Sequence, residues 1–298
     1  MATSTWRDFD RRAEPCRREL VTHCYQMLGS AELANEVAGR ALARARLGYG
    51  QFDDRVVSLR AWLFGIVTAA CVAAGDERRW LPSGLGSPAD DPDVPLVRGH
   101  DVAWLQPFPE PVASVVDLGF VAALQSLPVR QRAVLLLRDV SGFGAADTAA
   151  AAGMTLGAVR VALGRARSAI VSTVDDPVAP DRYVAAFEHQ DAVALARLLA
   201  DDVVVELPPY RNWFAGSADA GRVLAQFFAD QATEWRLLPT LANGRPAFAA
   251  YARGRDRAYH AHSIHVPDRR RVVLFGFPEL FPLFGLSPTL VSVTPAAR

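Results

Sequence analysis

The 298-residue sequence contains no lysine, so all of its strongly basic side chains are arginine. These arginines balance the acidic residues, 32 against 32, and the formal net charge is zero. A neutral chain has no overall attraction for phosphates, so any binding to nucleic acid must come from a local basic patch. The lysine deficit, with abundant alanine, glycine and proline, is typical of a GC-rich coding sequence and says little about function.

Cysteines and long apolar runs are also scarce. The three cysteines are Cys16, Cys24 and Cys71, an odd number in a chain without a signal-like start, which favours a reducing cytoplasm. No stretch reaches the roughly 20 apolar residues of a membrane helix, and the best one, 272–286, is interrupted by two prolines and a glutamate. The sequence has no Gly-rich phosphate loop, Ser-His-Asp signature or CxxC. We therefore expect no membrane span, no cofactor and no metal.

Composition divides the chain into four segments. Residues 5–80 and 113–175 show helical spacing of apolar residues, whereas 81–112 contains seven prolines and little periodicity. Residues 180–290 combine helical patterns with alternating, strand-like stretches such as "AYHAHSIHV". The predicted architecture is therefore two all-α domains joined by an extended linker and followed by an independent α+β domain.

The second helical segment contains the pattern of a helix-turn-helix. Residues 145–152 predict a short helix, Gly153 can adopt a positive φ, and Thr155 can cap the next helix. In that helix one apolar face, at spacings of four, three and four, is expected to pack in the core: Val159, Leu163, Ala166 and Ile170.

An arginine surface lies opposite this face. Arg160 and Arg167 point away from the core, with Arg165 on the flank, on a helix suited to a DNA major groove. If all three reach phosphates, the log–log salt slope of binding is roughly −2 to −3. The alternative is a helical bundle with a solvated basic face, and the spacing alone does not decide between them.

Several stretches, in the same order along the chain, carry a family resemblance: "RELVTHCYQMLGS" (18–30), "LRAWLFGIVTAAC" (59–71), "LPSGLGSPADDPDVPL" (81–96), "WLQPFPE" (104–110) and "FVAALQSLPVRQRAVLLLRDVSGF" (120–143). Together they resemble the extracytoplasmic-function sigma factors of actinobacteria, in particular those with a C-terminal SnoaL-like domain. The resemblance implies two sigma domains whose linker threads through RNA polymerase. The implied partners are promoter DNA and core RNA polymerase, and the implied location is the cytoplasm.

The resemblance also implies roles for particular residues. The helix from Thr155 to Arg167 corresponds to the one that reads the promoter element near −35, and residues 59–79 to the segment that opens the element near −10. The DNA-binding residues expected on this basis are Thr155, Arg160, Gly164, Arg165, Arg167, Arg78 and Arg79.

The sequence departs from the family in residues 29–52, the segment that the resemblance implies should bind the polymerase clamp. Relatives carry an acid-rich run there; in this chain Glu36 keeps its charge, and Arg40 reverses the sign of a contact. Gly65 stands where relatives tend to have arginine, although the packing residues around it are kept. The departures put core binding in doubt while the fold is preserved.

The C-terminal segment is similar to the SnoaL-like, NTF2-type fold, a curved sheet and helices around an apolar cavity. We expect this cavity to admit a hydrophobic small molecule, with Tyr210, Trp213, Asn243 and Tyr251 among its polar residues. Candidates for acid–base chemistry are Glu206, His260, His262 and Tyr183. The competing interpretation is that His262 only packs or hydrogen-bonds, and two histidines at this spacing do not predict a metal site.

The sequence therefore supports a sigma factor regulated by its C-terminal domain. The alternatives that remain are a sigma-derived enzyme of the cyclase, isomerase or epoxide hydrolase type, and a non-catalytic ligand sensor or DNA-binding decoy.

Overall fold

The computed structural model describes residues 2–75, 77–109, 117–170, 176–231 and 233–290. The chain forms two compact units. The first combines Met1–Arg79 with Val112–Thr173, and the second combines Trp80–Pro111 with Val174–Arg298. In the described part of the chain, no helix is both long enough and apolar enough to span a membrane.

The first unit is helical in each of its two sequence segments. Serine and aspartate side chains begin several of its helices, with Ser30, Ser58 and Asp117 each accepting a hydrogen bond from a backbone N–H of the first turn. Its helices are α1 (Ala2–Leu28), α2 (Ala31–Gly48), α3 (Leu59–Ala73), α4 (Leu118–Gln125), α5 (Val129–Leu135), α6 (Ala145–Ala152) and α7 (Leu156–Ala169).

A buried arginine joins the two helical segments of this unit. Arg132 is 1% exposed, and its guanidinium donates to the carbonyls of Leu124 (2.9 Å) and Leu127 (3.1 Å), and also to that of Met27 at the end of α1. A buried cation is tolerated only when its donors are satisfied, and here backbone carbonyls satisfy them. Arg132 therefore contributes to the compact unit that the two helical segments form.

Helices α3 and α6 also approach closely within this unit. A Cβ atom added at Gly65 would lie 3.5 Å from the Cα of Ala151. Beside this contact, the Phe64 and Phe143 rings meet edge to face with centroids 5.0 Å apart, and Arg60 lies over the Phe143 ring. Gly65, which stands where relatives tend to have arginine, therefore lies at the contact between two helices.

The second unit contains a mixed sheet of the strands β1 (Val204–Glu206), β2 (Trp213–Ala215), β3 (Trp235–Ala242), β4 (Arg245–Arg253), β5 (Tyr259–Pro267), β6 (Arg271–Phe275) and β7 (Thr289–Leu290). The strand order is β2-β1-β6-β5-β4-β3, and β7 pairs with β5. The pairings are antiparallel except that between β1 and β6. This α+β architecture confirms the predicted fold class. The helices of this unit are α8 (Pro180–Glu188), α9 (Ala192–Leu198) and α10 (Ser217–Gln231).

The Pro-rich segment is part of the second compact unit. It is mostly irregular, in keeping with its proline content, but the backbone N–H of Ala89 donates to the Trp213 carbonyl (2.8 Å) and that of Gly99 to the Pro209 carbonyl (2.9 Å). We call residues 80–109 the strap. Its main-chain hydrogen bonds attach it to the C-terminal fold.

The far end of the strap is held by Asn243, which turns the chain between β3 and β4 at φ 55°. The Asn243 side-chain oxygen accepts from the Phe108 N–H (3.0 Å), and the Asn243 N–H donates to the Phe108 carbonyl (2.7 Å). Asn243 is fully buried. One residue therefore fixes both the hairpin turn and the strap.

Candidate functional site

The turn between α6 and α7 has the predicted geometry. Gly153 adopts the left-handed conformation (φ 61°, ψ 42°), and the Thr155 hydroxyl accepts from the Ala158 N–H at 3.2 Å. On the inner face of α7, Val159 and Ala166 are buried as predicted, and Ala162 is buried beside them. Two other residues of the predicted face, Leu163 and Ile170, are only half-buried.

The three arginines of α7 differ in their surroundings. Arg160 and Arg165 are exposed and have no partner among the described residues, whereas Arg167 donates to both oxygens of Asp139 (2.8 and 2.6 Å). This two-pronged contact lowers the pKa of Asp139 below its ordinary value. Gly164 is exposed between them, with no heavy atom within 4 Å of the position of a Cβ. Two of the three predicted arginines are therefore available to a polyanion.

The other sigma-type candidates lie elsewhere on the first unit. Arg78, beyond the end of α3, is exposed, and Arg79 is half-buried with its guanidinium 3.7 Å from the Glu77 carboxylate. On α2, Glu36 and Arg40 are both exposed and lie 3.3 Å apart as an i,i+4 ion pair. The two residues predicted at the polymerase contact therefore pair with each other.

The second unit contains a cavity of about 470 Å³. Its floor is apolar, formed by residues such as Leu207, Val223 and Leu274, and two polar side chains, His262 and Ser263, reach it. Its rim includes strap residues from Pro92 to Arg98. The volume lies within the range of small-molecule sites in proteins.

Behind the cavity floor, four side chains form a continuous chain of hydrogen-bonding atoms. His262 Nδ1 lies 3.1 Å from Ser263 Oγ, which lies 2.8 Å from His265 Nε2, and His265 Nδ1 lies 3.2 Å from the Tyr183 hydroxyl. We call these four residues the relay. It runs from the cavity into the core, where Tyr183 and His265 are fully buried.

Burial fixes the charge state of the relay. It lowers the pKa of His262 to about 4 and, with a contribution from the charge of His262, that of His265 to about 3. Burial also raises the pKa of Tyr183 well above its ordinary value. At neutral pH all these groups are therefore uncharged.

A β-bulge places His262 at the cavity. Ala250 pairs with Ser263 and Tyr251 with Ala261, so His262 is an extra residue in β5 with no partner in β4. Bulges re-aim side chains, and this one lets the neighbouring His262 and Ser263 both line the cavity.

Most of the other candidate cavity residues lie away from it. Tyr210 lines the cavity, whereas the buried Glu206 is held by Arg271 and by the Ser83 N–H (2.8 Å). His260 is exposed beside Asp256 (3.0 Å), and Tyr251 donates from its hydroxyl to the Ser287 carbonyl (2.9 Å). The remaining two, Trp213 and Asn243, bind strap carbonyl or amide groups. Ion pairing and backbone hydrogen bonds hold each of these five residues outside the lining of the cavity.

His265 and Ser263 were missed as functional candidates. Their signal is the period of two in "SIH", which puts both side chains on one face of β5. Chemically, the relay can hold or orient a proton, and the carboxylate that lines the cavity, that of Asp230, is exposed. In the described ranges, no group of three His, Cys, Asp or Glu side chains is placed to hold a metal ion.

A helix-turn-helix that exposes Arg160 and Arg165 within a helical unit is typical of DNA-binding transcription proteins. Residues 13–80 match Sigma-70 region 2, and residues 118–170 match Sigma-70, region 4. The chain is 40% identical to the ECF RNA polymerase sigma factor SigG of Mycobacterium tuberculosis, over 95% of this chain and 85% of SigG. It is 31% identical to SigD of Mycobacterium bovis, over 51% of this chain and 70% of SigD. The chain belongs to the ECF RNA polymerase sigma factors, which direct transcription initiation by binding RNA polymerase and promoter DNA.

The overall fold also has a structural relative. The crystal structure of the extracytoplasmic function sigma factor SigJ of Mycobacterium tuberculosis superposes with a TM-score of 0.58. The superposition covers 93% of this chain and 99% of SigJ at 19% identity. It shows that this chain and SigJ share a fold.

Proposed function

We propose that α7 of this sigma factor binds the promoter element near −35 through Arg160 and Arg165, and that the C-terminal unit regulates initiation through the strap and a small apolar ligand. The observation that carries the first part is the contrast on α7. Two arginines stand exposed and unpaired among the described residues, and the third is held by Asp139. Because transcription takes place in the bacterial cytoplasm, the proposal places the protein there.

The first experiment is a pull-down of the purified chain with core RNA polymerase at low and moderate salt. We expect binding, strengthened in the variant Arg40→Glu, which restores the acidic charge of relatives and repels rather than pairs with Glu36. If neither protein binds at either salt, polymerase recruitment by this chain is ruled out.

The second experiment measures the salt dependence of promoter binding by the holoenzyme on a fragment selected from a random library. Each phosphate contact contributes about −0.9 to the log–log slope, so Arg160→Ala and Arg165→Ala should each flatten it by about 0.9. Arg182→Ala, on the exposed face of α8, is the matched control and should leave the slope unchanged. Unchanged slopes in both α7 variants would place the DNA contact elsewhere.

Regulation through the strap is supported by its hydrogen bonds to the C-terminal fold. The family resemblance implies that this segment threads through polymerase, and a strap held by Asn243 and Pro209 is not free to do so. The C-terminal unit and polymerase therefore compete for one segment. Release of the strap should raise transcription.

This part is tested with Asn243→Gly, which keeps the positive φ and deletes the side-chain oxygen that holds Phe108. We expect more run-off transcript at limiting sigma factor. Gln190→Gly is the matched control, because Gln190 also has a positive φ (57°) but lies outside the strap contacts. Equal transcript from wild type and Asn243→Gly would remove the strap from the regulatory scheme.

A further inference from the structure

We infer that the cavity is built for an uncharged, largely apolar molecule that presents one hydrogen-bond acceptor, such as a ketone, ester or lactone oxygen, to the Nε2–H of His262. This inference rests on the proposed function, in which the cavity takes a small apolar ligand, and it specifies the chemistry of that ligand. It follows from the direction in which the relay can carry its hydrogen bonds.

The direction is set at the buried end of the relay. The Tyr183 hydroxyl is fully buried, and among the described residues its proton has one acceptor within reach, His265 Nδ1 at 3.2 Å. If His265 carried its proton on Nδ1 it would donate to the tyrosine oxygen, and the phenolic proton would be buried without an acceptor. Buried donors are almost always paired, so Tyr183 donates.

The remaining steps follow from the donor inventory of each side chain. A neutral His265 that accepts at Nδ1 carries its proton on Nε2 and donates it to Ser263 Oγ, 2.8 Å away. The serine proton is then directed at His262 Nδ1, 3.1 Å away. A neutral His262 that accepts at Nδ1 carries its proton on Nε2. That atom has no partner in the described part of the chain, and the His262 side chain lines the cavity.

The side chains around His262 are aromatic and apolar. Its ring meets the edge of Trp235 at a centroid distance of 4.9 Å and of Phe227 at 5.8 Å, so aromatic packing holds its orientation. The other residues of the floor are apolar. The remaining polar and charged side chains that line the cavity are exposed or half-exposed rather than buried: Arg98, Tyr210, Gln226, Asp230 and Gln231. A donor fixed in an apolar floor selects a neutral molecule with an acceptor.

The tautomers are tested first, without any ligand, by long-range ¹H–¹⁵N correlation of the histidine rings in the full chain. We expect Nε2–H for both His262 and His265, and loss of the single-tautomer signal of His265 in Tyr183→Phe. An Nδ1–H signal for His262 in the wild-type protein would overturn the inference.

The ligand preference is tested by calorimetric titration with two probes, 1-tetralone and tetralin, which differ by one carbonyl group. We expect the ketone to bind about three- to tenfold more tightly, the range of one net neutral hydrogen bond. The preference should disappear in His262→Phe and weaken in Ser263→Ala. It should persist in His260→Phe, a control on the same strand outside the cavity.

The outcomes separate the inference from the proposed function. Equal binding of the two probes, or a ketone preference that survives in His262→Phe, overturns the acceptor inference but leaves an apolar ligand site. Failure of both probes to bind overturns the ligand site itself, and with it the inference.

Discussion

The α7 surface and the C-terminal cavity differ in the exposure and charge of their polar side chains. On α7, charged side chains point into solvent, and two of them have no partner among the described residues. In the cavity, the polar side chains point inward, lose their charge and bond to one another. An exposed arginine can bind a polyanion at any physiological pH. The buried relay is selective for its ligand, because its side chains must stay uncharged and keep their hydrogen bonds.

Lowering the pH should produce the largest difference between the two regions, because it protonates the relay and leaves the arginines of α7 unchanged. The pKa of His265 is about 3 when folded and near 6.5 when unfolded, so below pH 6.5 protons favour the unfolded chain. His265 alone should cost about 1.4 kcal/mol of stability per pH unit between pH 6.5 and about 3. Urea denaturation at pH 7.0, 6.0 and 5.0 measures this loss.

The measurement is made on the variant His23→Phe, because the pKa of the buried His23 in the first unit is also lowered to about 4 and would add to the loss of stability. A second unit whose stability is flat from pH 7 to 5 would contradict a buried neutral relay.

Removing the inner end of the relay should have the next largest effect. Tyr183→Phe leaves His265 Nδ1 buried without a donor and should reduce the free energy of unfolding by about 1–2 kcal/mol, without altering promoter binding. Tyr210→Phe is the matched comparison, because the Tyr210 hydroxyl has no hydrogen-bond partner in the described structure. A similar stability for both variants would show that the relay adds nothing to the core.

The cap of α7 should rank third. Thr155→Ala removes the hydroxyl that accepts from the Ala158 N–H and should destabilise the first unit by about 1 kcal/mol, whereas Thr155→Ser should retain most of it. Thermal denaturation of the three proteins at pH 7 measures the difference. Indistinguishable melting temperatures would mean that the cap is dispensable.

The smallest effect on stability is expected at Arg167. Asp139→Asn weakens the two-pronged contact and should change unfolding less than Thr155→Ala, but it frees a third cation for DNA. The salt slope of promoter binding should then steepen by about 0.9. An unchanged slope would show that Arg167 does not reach the phosphates even when released.

Local sequence signals predicted the helix-turn-helix well, because its glycine, its cap and its apolar spacing all act within a few residues. The α+β class of the C-terminal segment was likewise readable from alternation. The sequence did not indicate which arginines of α7 lack an acidic partner, because Arg167 and its partner Asp139 are 28 residues apart.

The cavity was predicted less well than the fold. Glu206 was expected to line it, and instead lies buried against Arg271, 65 residues away. The relay depends on a bulge at His262 that shifts the strand register by one residue, and a strict period of two does not reveal such a shift. Pairing across long sequence separations, rather than local propensity, decided which side chains share the site.

The close approach of Gly65 to Ala151 limits which side chains can stand at position 65. An alanine at position 65 would meet Ala151 at an ordinary contact distance, but any longer side chain must leave along the half-exposed edge of α3 or push α6 away. Position 65 therefore accepts an alanine freely, and it accepts a long side chain either along the edge that faces solvent or with a shift of α6. The contact thus restricts the direction of a side chain at this position more than its size.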